Sequence, residues 1–259
     1  MPRTSANGCA AFPGLLASRP TACRLRLPMR FSKWSAHGNV YLLAEDERLT
    51  PERARELSTA HDTDGVLEVV AVDGAAAEVA IWNPDGSRAE LSGNGTRIAA
   101  RWLAERAGTN EVRIRVGERV TRALIKGGLV EQELGPVEVG PAERLQGIEF
   151  VPVTVGNPHA VVEGDPAEIE RVGPLLEANP RFPGRTNVQV ARHEGHGRIT
   201  ARIWERGVGE TSSSGTSAVA VAAALGGEGE TEVSFPGGVV RVRIENGEAY
   251  LTGPAERLE

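Results

Sequence analysis

Alternating apolar and polar positions mark short strands along most of the chain. Residues 31–34 and 40–44 read as strands on either side of Ser35-Ala36-His37-Gly38-Asn39. Residues 66–72 and 77–82 read as a second pair with a Gly turn between them, and 112–116, 120–125 and 129–134 as a meander broken at Gly117 and Gly127-Gly128. Later strands are expected at 149–155, 187–191, 198–204, 232–235, 239–244 and 249–252. The first of these ends in Gly156-Asn157-Pro158-His159.

Helical spacing interrupts the strands in four places. Thr50-Pro51-Glu52 opens a helix to about residue 60, with Thr as N-cap and Pro at the first helical position. Asp165-Pro166 opens another through residue 176. The remaining two follow Ser92-Gly93 and Ser214-Gly215. Each half is therefore mostly antiparallel sheet with a central helix, an α+β pattern. Gly135-Pro136 and Pro141 mark the expected boundary, giving halves at 30–138 and 139–259, with the last strand free to return to the first half.

The two Ser-Gly steps share one layout. A strand ends in Ile-Trp, a polar Gly loop follows, and Ser-Gly opens an apolar helix. Trp204 lies 122 residues after Trp82, and Ser214 lies 122 after Ser92. Two related halves explain that common offset. If the halves face each other, the two helix starts meet across one cleft. Free backbone N–H groups at a helix N-terminus suit an anion such as a carboxylate.

Composition narrows the function. The chain has 259 residues, 40% hydrophobic and 25% charged, with a net charge of −6. That is ample for a core. No basic run or basic-aromatic alternation points to nucleic acid, and no apolar run approaches membrane-spanning length. The two cysteines, Cys9 and Cys23, precede Met29, so the expected fold holds no thiol. Residues 1–29 carry arginines and no acids. They read as a disordered extension or a start site placed too early, with an organelle-type transit peptide as the alternative.

Ser92 and Ser214 are candidate catalytic groups, although Ser at these places also caps helices. His159 and Glu205, beside Gly loops at strand ends, are candidate helpers, which leaves a Ser/His hydrolase open. Ser212-Ser213-Ser214-Gly215 is not a Gly-x-Ser-x-Gly elbow, however. Neither Gly loop has a phosphate-binding signature. His193-Glu194-Gly195-His196 lacks zincin spacing and reads as a solvated turn, so no metal or other cofactor is expected. Asn39, Asn83, Asn94, Asn157 and Asn187 suit an amino-acid or carboxylate site, Arg206 suits a carboxylate and Glu205 an ammonium.

Taken together these blocks resemble the diaminopimelate epimerase family. The matching pieces are Lys33 with His37-Gly38-Asn39; Asn83-Pro84-Asp85-Gly86-Ser87 running to Ser92-Gly93-Asn94-Gly95-Thr96-Arg97; Gly156-Asn157-Pro158-His159; Thr186-Asn187-Val188; and Trp204-Glu205-Arg206-Gly207-Val208-Gly209-Glu210-Thr211 running to Ser214-Gly215-Thr216. The resemblance implies two pseudo-symmetric halves, each a curved sheet around a central helix, with a site at their interface. It also implies a cytoplasmic, cofactor-independent amino-acid epimerase, with a homodimer as the assembly to consider.

Substrate contacts would fall on Asn39, Asn83, Gly93, Asn94, Asn157, Asn187, Glu205, Arg206, Gly215 and Thr216. His159 and Glu205 would tune the catalytic pair. The family's two catalytic cysteines fall on Ser92 and Ser214. An alkanol is far harder to ionise than a thiol, whose reference pKa is about 8.5. Two alternatives stay open: a non-catalytic amino-acid-binding homologue, and an epimerase of another amino acid. Val40 replaces the family's usual Asp after Gly-Asn, and the distal Gly-rich loop is shortened to Asp62-Thr63-Asp64-Gly65.

Overall fold

A computed structural model describes residues 30–89 and 92–258. The expectations for residues 1–29, with Cys9 and Cys23, lie outside the described residues.

Four helices carry the topology: α1 (Pro51–His61), α2 (Gly93–Ala107), α3 (Ile169–Glu177) and α4 (Gly215–Val221). Each bridges two parallel strands, because parallel neighbours cannot be joined by a tight turn. In the first half α1 links Asn39–Glu45 to Gly65–Asp73, and α2 links Ala76–Trp82 to Glu111–Val116. In the second, α3 links Pro158–Glu163 to Asn187–Gly195, and α4 links Arg198–Glu205 to Gly229–Phe235. The other strand pairs are antiparallel, so each half is the expected α+β unit.

The halves are sewn together by their last strands. Glu248–Pro254 pairs antiparallel with Leu129–Pro136, with Leu251 opposite Gln132. Glu256–Arg257 then pairs with Trp34 and Ser35 of the first strand. The chain's end thus returns to the first half.

The sheets wrap around α2 and α4, and this decides where the core sits. Ile98, Leu103, Leu67, Ile81, Ile114 and Val130 close around α2. Val219, Val221, Ile203, Val242 and Leu251 close around α4. A helix surrounded by sheet must be apolar nearly all round, and small Ala and Val let strands approach α4. Among the described residues no helix is long and apolar enough to cross a membrane.

Two local expectations need correction. Residues 158–163 are a strand, not the tail of a loop; Pro158 is tolerated at its first position. The helix expected over 166–176 splits into a 3-10 turn, Pro166–Glu168, and α3. Asp165 accepts from Ala167 N and so caps the 3-10 turn rather than α3. The second central helix ends in a π-helical turn, Ala222–Gly226.

Candidate active site

The two Ser-Gly helix starts meet. A Cβ on Gly93 would lie 3.2 Å from Cα of Gly215, and one on Gly215 would lie 3.3 Å from Cα of Gly93. Only glycine lets two backbones come this close. The N-termini of α2 and α4 are thereby brought to one place, with Ser92 and Ser214 as their N-caps.

The two serines are held differently. Ser92 Oγ accepts from Gly95 N at 3.0 Å and shares a second hydrogen bond of 3.0 Å with the Tyr41 hydroxyl. Ser214 makes no side-chain cap bond. Its hydroxyl lies near the Glu205 carboxylate and favours its ionised form, and that carboxylate accepts from Thr211 Oγ1 at 2.9 Å. Burial raises the Glu205 pKa above its ordinary value, against the opposing effects of the Thr211 bond and of Ser214. Glu205 is thus a half-buried titratable group near Ser214.

His159 is buried, and both ring nitrogens are occupied. Nδ1 accepts from the Gln189 amide at 3.0 Å, so Nε2–H donates to Asn157 Oδ1 at 2.9 Å. Burial drives its pKa down to about 3, and Arg206 adds to this while the Gln189 bond opposes it. It is therefore a neutral imidazole at pH 7. Gln189 also donates to Ser217 Oγ at 2.9 Å. This chain supports the wall behind α4 and leaves no ring nitrogen for a nucleophilic serine, which removes the geometry a Ser/His hydrolase needs.

The asparagines are brought together, though several side chains are already committed. Asn94 Nδ2 donates to Asn39 Oδ1 and, at 3.4 Å, to Ser213 Oγ of the other half. Arg97 Nη2 donates to Asn94 Oδ1 and, at 3.0 Å, to Nδ1 of His37. His37 Nε2–H donates to Val239 O at 2.7 Å. Burial first, and Arg97 second, lower the His37 pKa, so this ring too is neutral. One network thus spans both halves beneath the helix starts.

Asn187 ties loops together, donating to Pro158 O at 3.1 Å and accepting from Arg206 N at 3.0 Å. Asn83 donates to Ser87 Oγ at 2.9 Å within its own turn. Arg206 is exposed, with Nη1 3.3 Å from Gly184 O. Thr216 is buried at the start of α4.

Sequence patterns did not single out Tyr41, Gln132 or Ser213. Gln132 donates to Gly93 O at 3.1 Å from the strand that joins the halves. None of these residues has a local signal, because each acquires its role only when distant strands pair.

A family model described as diaminopimelate epimerase matches residues 151–258. The chain is 31% identical to the diaminopimelate epimerase of Synechocystis sp., over 90% of this chain and 98% of that protein. It is 32% identical to that of Synechococcus elongatus, over 90% of this chain and 97% of the relative. A chloroplastic diaminopimelate epimerase from Oryza sativa is 30% identical over 98% of this chain and 87% of its own. Among solved structures, an epimerase-like protein from Pseudomonas aeruginosa superposes with a TM-score of 0.70 at 16% identity, covering 89% of this chain and 97% of the other. A hydroxyproline epimerase from Agrobacterium vitis superposes at 0.64 with 15% identity, covering 88% of this chain and 89% of the other. These two likenesses concern the fold alone.

Proposed function

The chain belongs to the diaminopimelate epimerase family, and we propose that it interconverts LL- and meso-diaminopimelate by two-base proton transfer at the α-carbon. Ser92 would act on one face and Ser214 on the other. The observation that carries this reading is the contact between Gly93 and Gly215, which sets the two serine-capped helix starts against each other.

Removing an α-proton leaves negative charge that spreads into the carboxylate. Helix N-termini are fixed positive ends with unpaired N–H groups, so they stabilise that charge without reorganising. The α-carboxylate would sit at the starts of α2 and α4, against Gly93, Asn94, Gly215 and Thr216. Glu205 would tune Ser214 and hold the ammonium group. Asn39, Asn83, Asn157, Asn187 and Arg206 would line the rest, and the neutral His159 would stiffen the wall through Gln189. The proposed partner is a small amino acid and the proposed setting the cytoplasm.

The serine pair favours one competing reading: a homologue that binds the amino acid without turning it over. Incubation with LL-diaminopimelate in D₂O, followed by proton NMR at the α-carbon, separates the two. Exchange above buffer, with meso product, is expected. Binding by calorimetry with no exchange would sink the epimerase reading in favour of the binding protein. Ser92→Cys combined with Ser214→Cys is expected to raise exchange strongly, since thiols ionise far more readily.

A further inference from the structure

We propose that Tyr41 is the proton partner of Ser92, so that a tyrosine–serine pair works one face of the site while the Glu205–Ser214 pair works the other. The inference rests on the epimerase reading and supplies what an isolated serine lacks there. Tyr41 acts through Ser92 and is in that sense a positioning residue.

Geometry is the starting point. Tyr41 lies in strand Asn39–Glu45, opposite Gly65 of the parallel neighbour. A Cβ on Gly65 would fall 2.8 Å from Tyr41 Cε1 and 2.6 Å from Trp82 O, so glycine there makes room for the ring. The buried ring then reaches across to Ser92 and sets its hydroxyl 3.0 Å from Oγ. Ser92 Oγ already accepts from Gly95 N. A hydroxyl has one proton and two lone pairs. One lone pair is used by the cap, leaving a proton and a lone pair, one for Tyr41 and one for the α-carbon.

That arrangement lets the serine change its proton without becoming a free alkoxide. With Tyr41 as phenolate, Ser92 Hγ passes to the phenolate oxygen as Ser92 Oγ takes the α-proton. The old Ser92 O–H and the Cα–H bonds break, new Ser92 O–H and Tyr41 O–H bonds form, and the electron pair stays on the α-carbon. On the opposite face neutral Glu205 gives its proton to Ser214 Oγ as Ser214 gives its own to the α-carbon. The turnover ends with Tyr41 neutral and Glu205 ionised, which is the starting state for the reverse direction.

The groups around Tyr41 decide which direction starts from the resting state: burial, Asp64 and Glu205 disfavour the phenolate, so the resting site holds neutral Tyr41, and the direction in which Ser92 takes the α-proton gains as pH rises. Burial raises the phenol's pKa above 10, the Ser92 bond and Arg97 oppose that rise, and Asp64 and Glu205 reinforce it. Tyr41 and Glu205 therefore feel each other across the site. A phenol remains far easier to ionise than an alkanol, with a reference value of about 10.

The test compares α-proton exchange in the unaltered protein, in Tyr41→Phe, and in Tyr41→Phe with Ser92→Cys, each as a function of pH. Exchange by the unaltered protein is expected to climb toward pH 10. Tyr41→Phe should lose that limb and fall by about 100-fold or more, the usual scale for a lost acid–base group, while its unfolding midpoint stays close to the original. Adding Ser92→Cys should restore exchange, because a thiol ionises by itself. The chain has two tyrosines, Tyr41 and Tyr250, so tyrosinate absorbance with and without Tyr41→Phe isolates the Tyr41 titration. Ser92→Ala should move that titration upward. Exchange in Tyr41→Phe that matches the unaltered protein at every pH overturns the role of Tyr41 alone, as does failure of the cysteine to rescue. No exchange by the unaltered protein overturns the epimerase reading and this inference with it.

Discussion

Gly93 and Gly215 touch through their backbones, 3.2–3.3 Å from Cα of one to a Cβ built on the other. This contact draws the starts of α2 and α4 together and so sets the distance between the two serines. Gly93→Ala would push against the Gly215 backbone, 3.2 Å from the new Cβ. Gly215→Ala would also strike Leu251 Cδ2 at 2.8 Å. Overpacking of this kind costs roughly 1–3 kcal/mol. Both variants should unfold at lower urea, Gly215→Ala more so, and both should lose most α-proton exchange. An alanine at either position with unchanged exchange would contradict a site built on this contact.

Ser92 and Ser214 occupy equivalent places yet differ in what they hold. Ser92→Ala removes the acceptor for Gly95 N and should cost about 1 kcal/mol of stability, the typical worth of an N-cap. Ser214 has no such bond, and Ser214→Ala should leave the unfolding midpoint nearly unchanged. Exchange should be lost in both. Equal destabilisation in denaturant titrations would contradict the asymmetry.

His159 links pH to stability. Its folded pKa, about 3, lies below the unfolded 6.5. The neutral form is therefore favoured in the fold, and its contribution is complete above pH 6.5 and lost as pH falls toward 3. At about 1.4 kcal/mol per pH unit the loss amounts to roughly 3–5 kcal/mol. Urea midpoints for the protein and for His159→Gln should converge between pH 7 and pH 4. A His159 ring titrating near 6.5 by NMR would rule this out.

Glu177 lies outside the site but holds one of its loops. Its carboxylate accepts from Trp204 Nε1 at 2.8 Å and Gly207 N at 2.7 Å, and pairs with Arg185 at 3.3 Å. Trp204 in turn lies on Gly173 of α3, where a Cβ would fall 2.6 Å from the indole Cγ. Glu177→Ala strands a half-buried indole N–H and a backbone N–H, which costs on the order of 1–3 kcal/mol. With the loop bearing Glu205 and Arg206 loosened, KM for the amino acid should rise several-fold by steady-state kinetics. Unchanged KM and stability would show that the loop is held elsewhere.

Much of this was legible along the chain. Strand alternation, the Thr50-Pro51 cap and the common offset of Trp82 and Trp204 are local signals, and the elements formed where they pointed. Strand 158–163 escaped notice because Gly156-Asn157-Pro158 reads as a turn, while parallel pairing with residues 187–191 makes it a strand. The site was legible as a set of loops, yet not in its connections. Asn39 and Asn94 looked like independent ligands but are bonded to each other. His159 looked like a helper of serine, but its ring is spent on Gln189 and Asn157.

The sequence by itself determined two related halves and a Ser-Gly helix start in each. Those follow from residue type and spacing, which are written along the chain. Only the tertiary structure decided which side chains come near each serine. Tyr41 is 51 residues from Ser92 and reaches it because Gly65 leaves room in a neighbouring strand. Glu205 comes near Ser214 because the short turn to Gly209–Thr211 folds back on its strand. Hydrogen bonds act over about 3 Å of space whatever the separation in sequence, so partners of this kind exist only once the strands have paired.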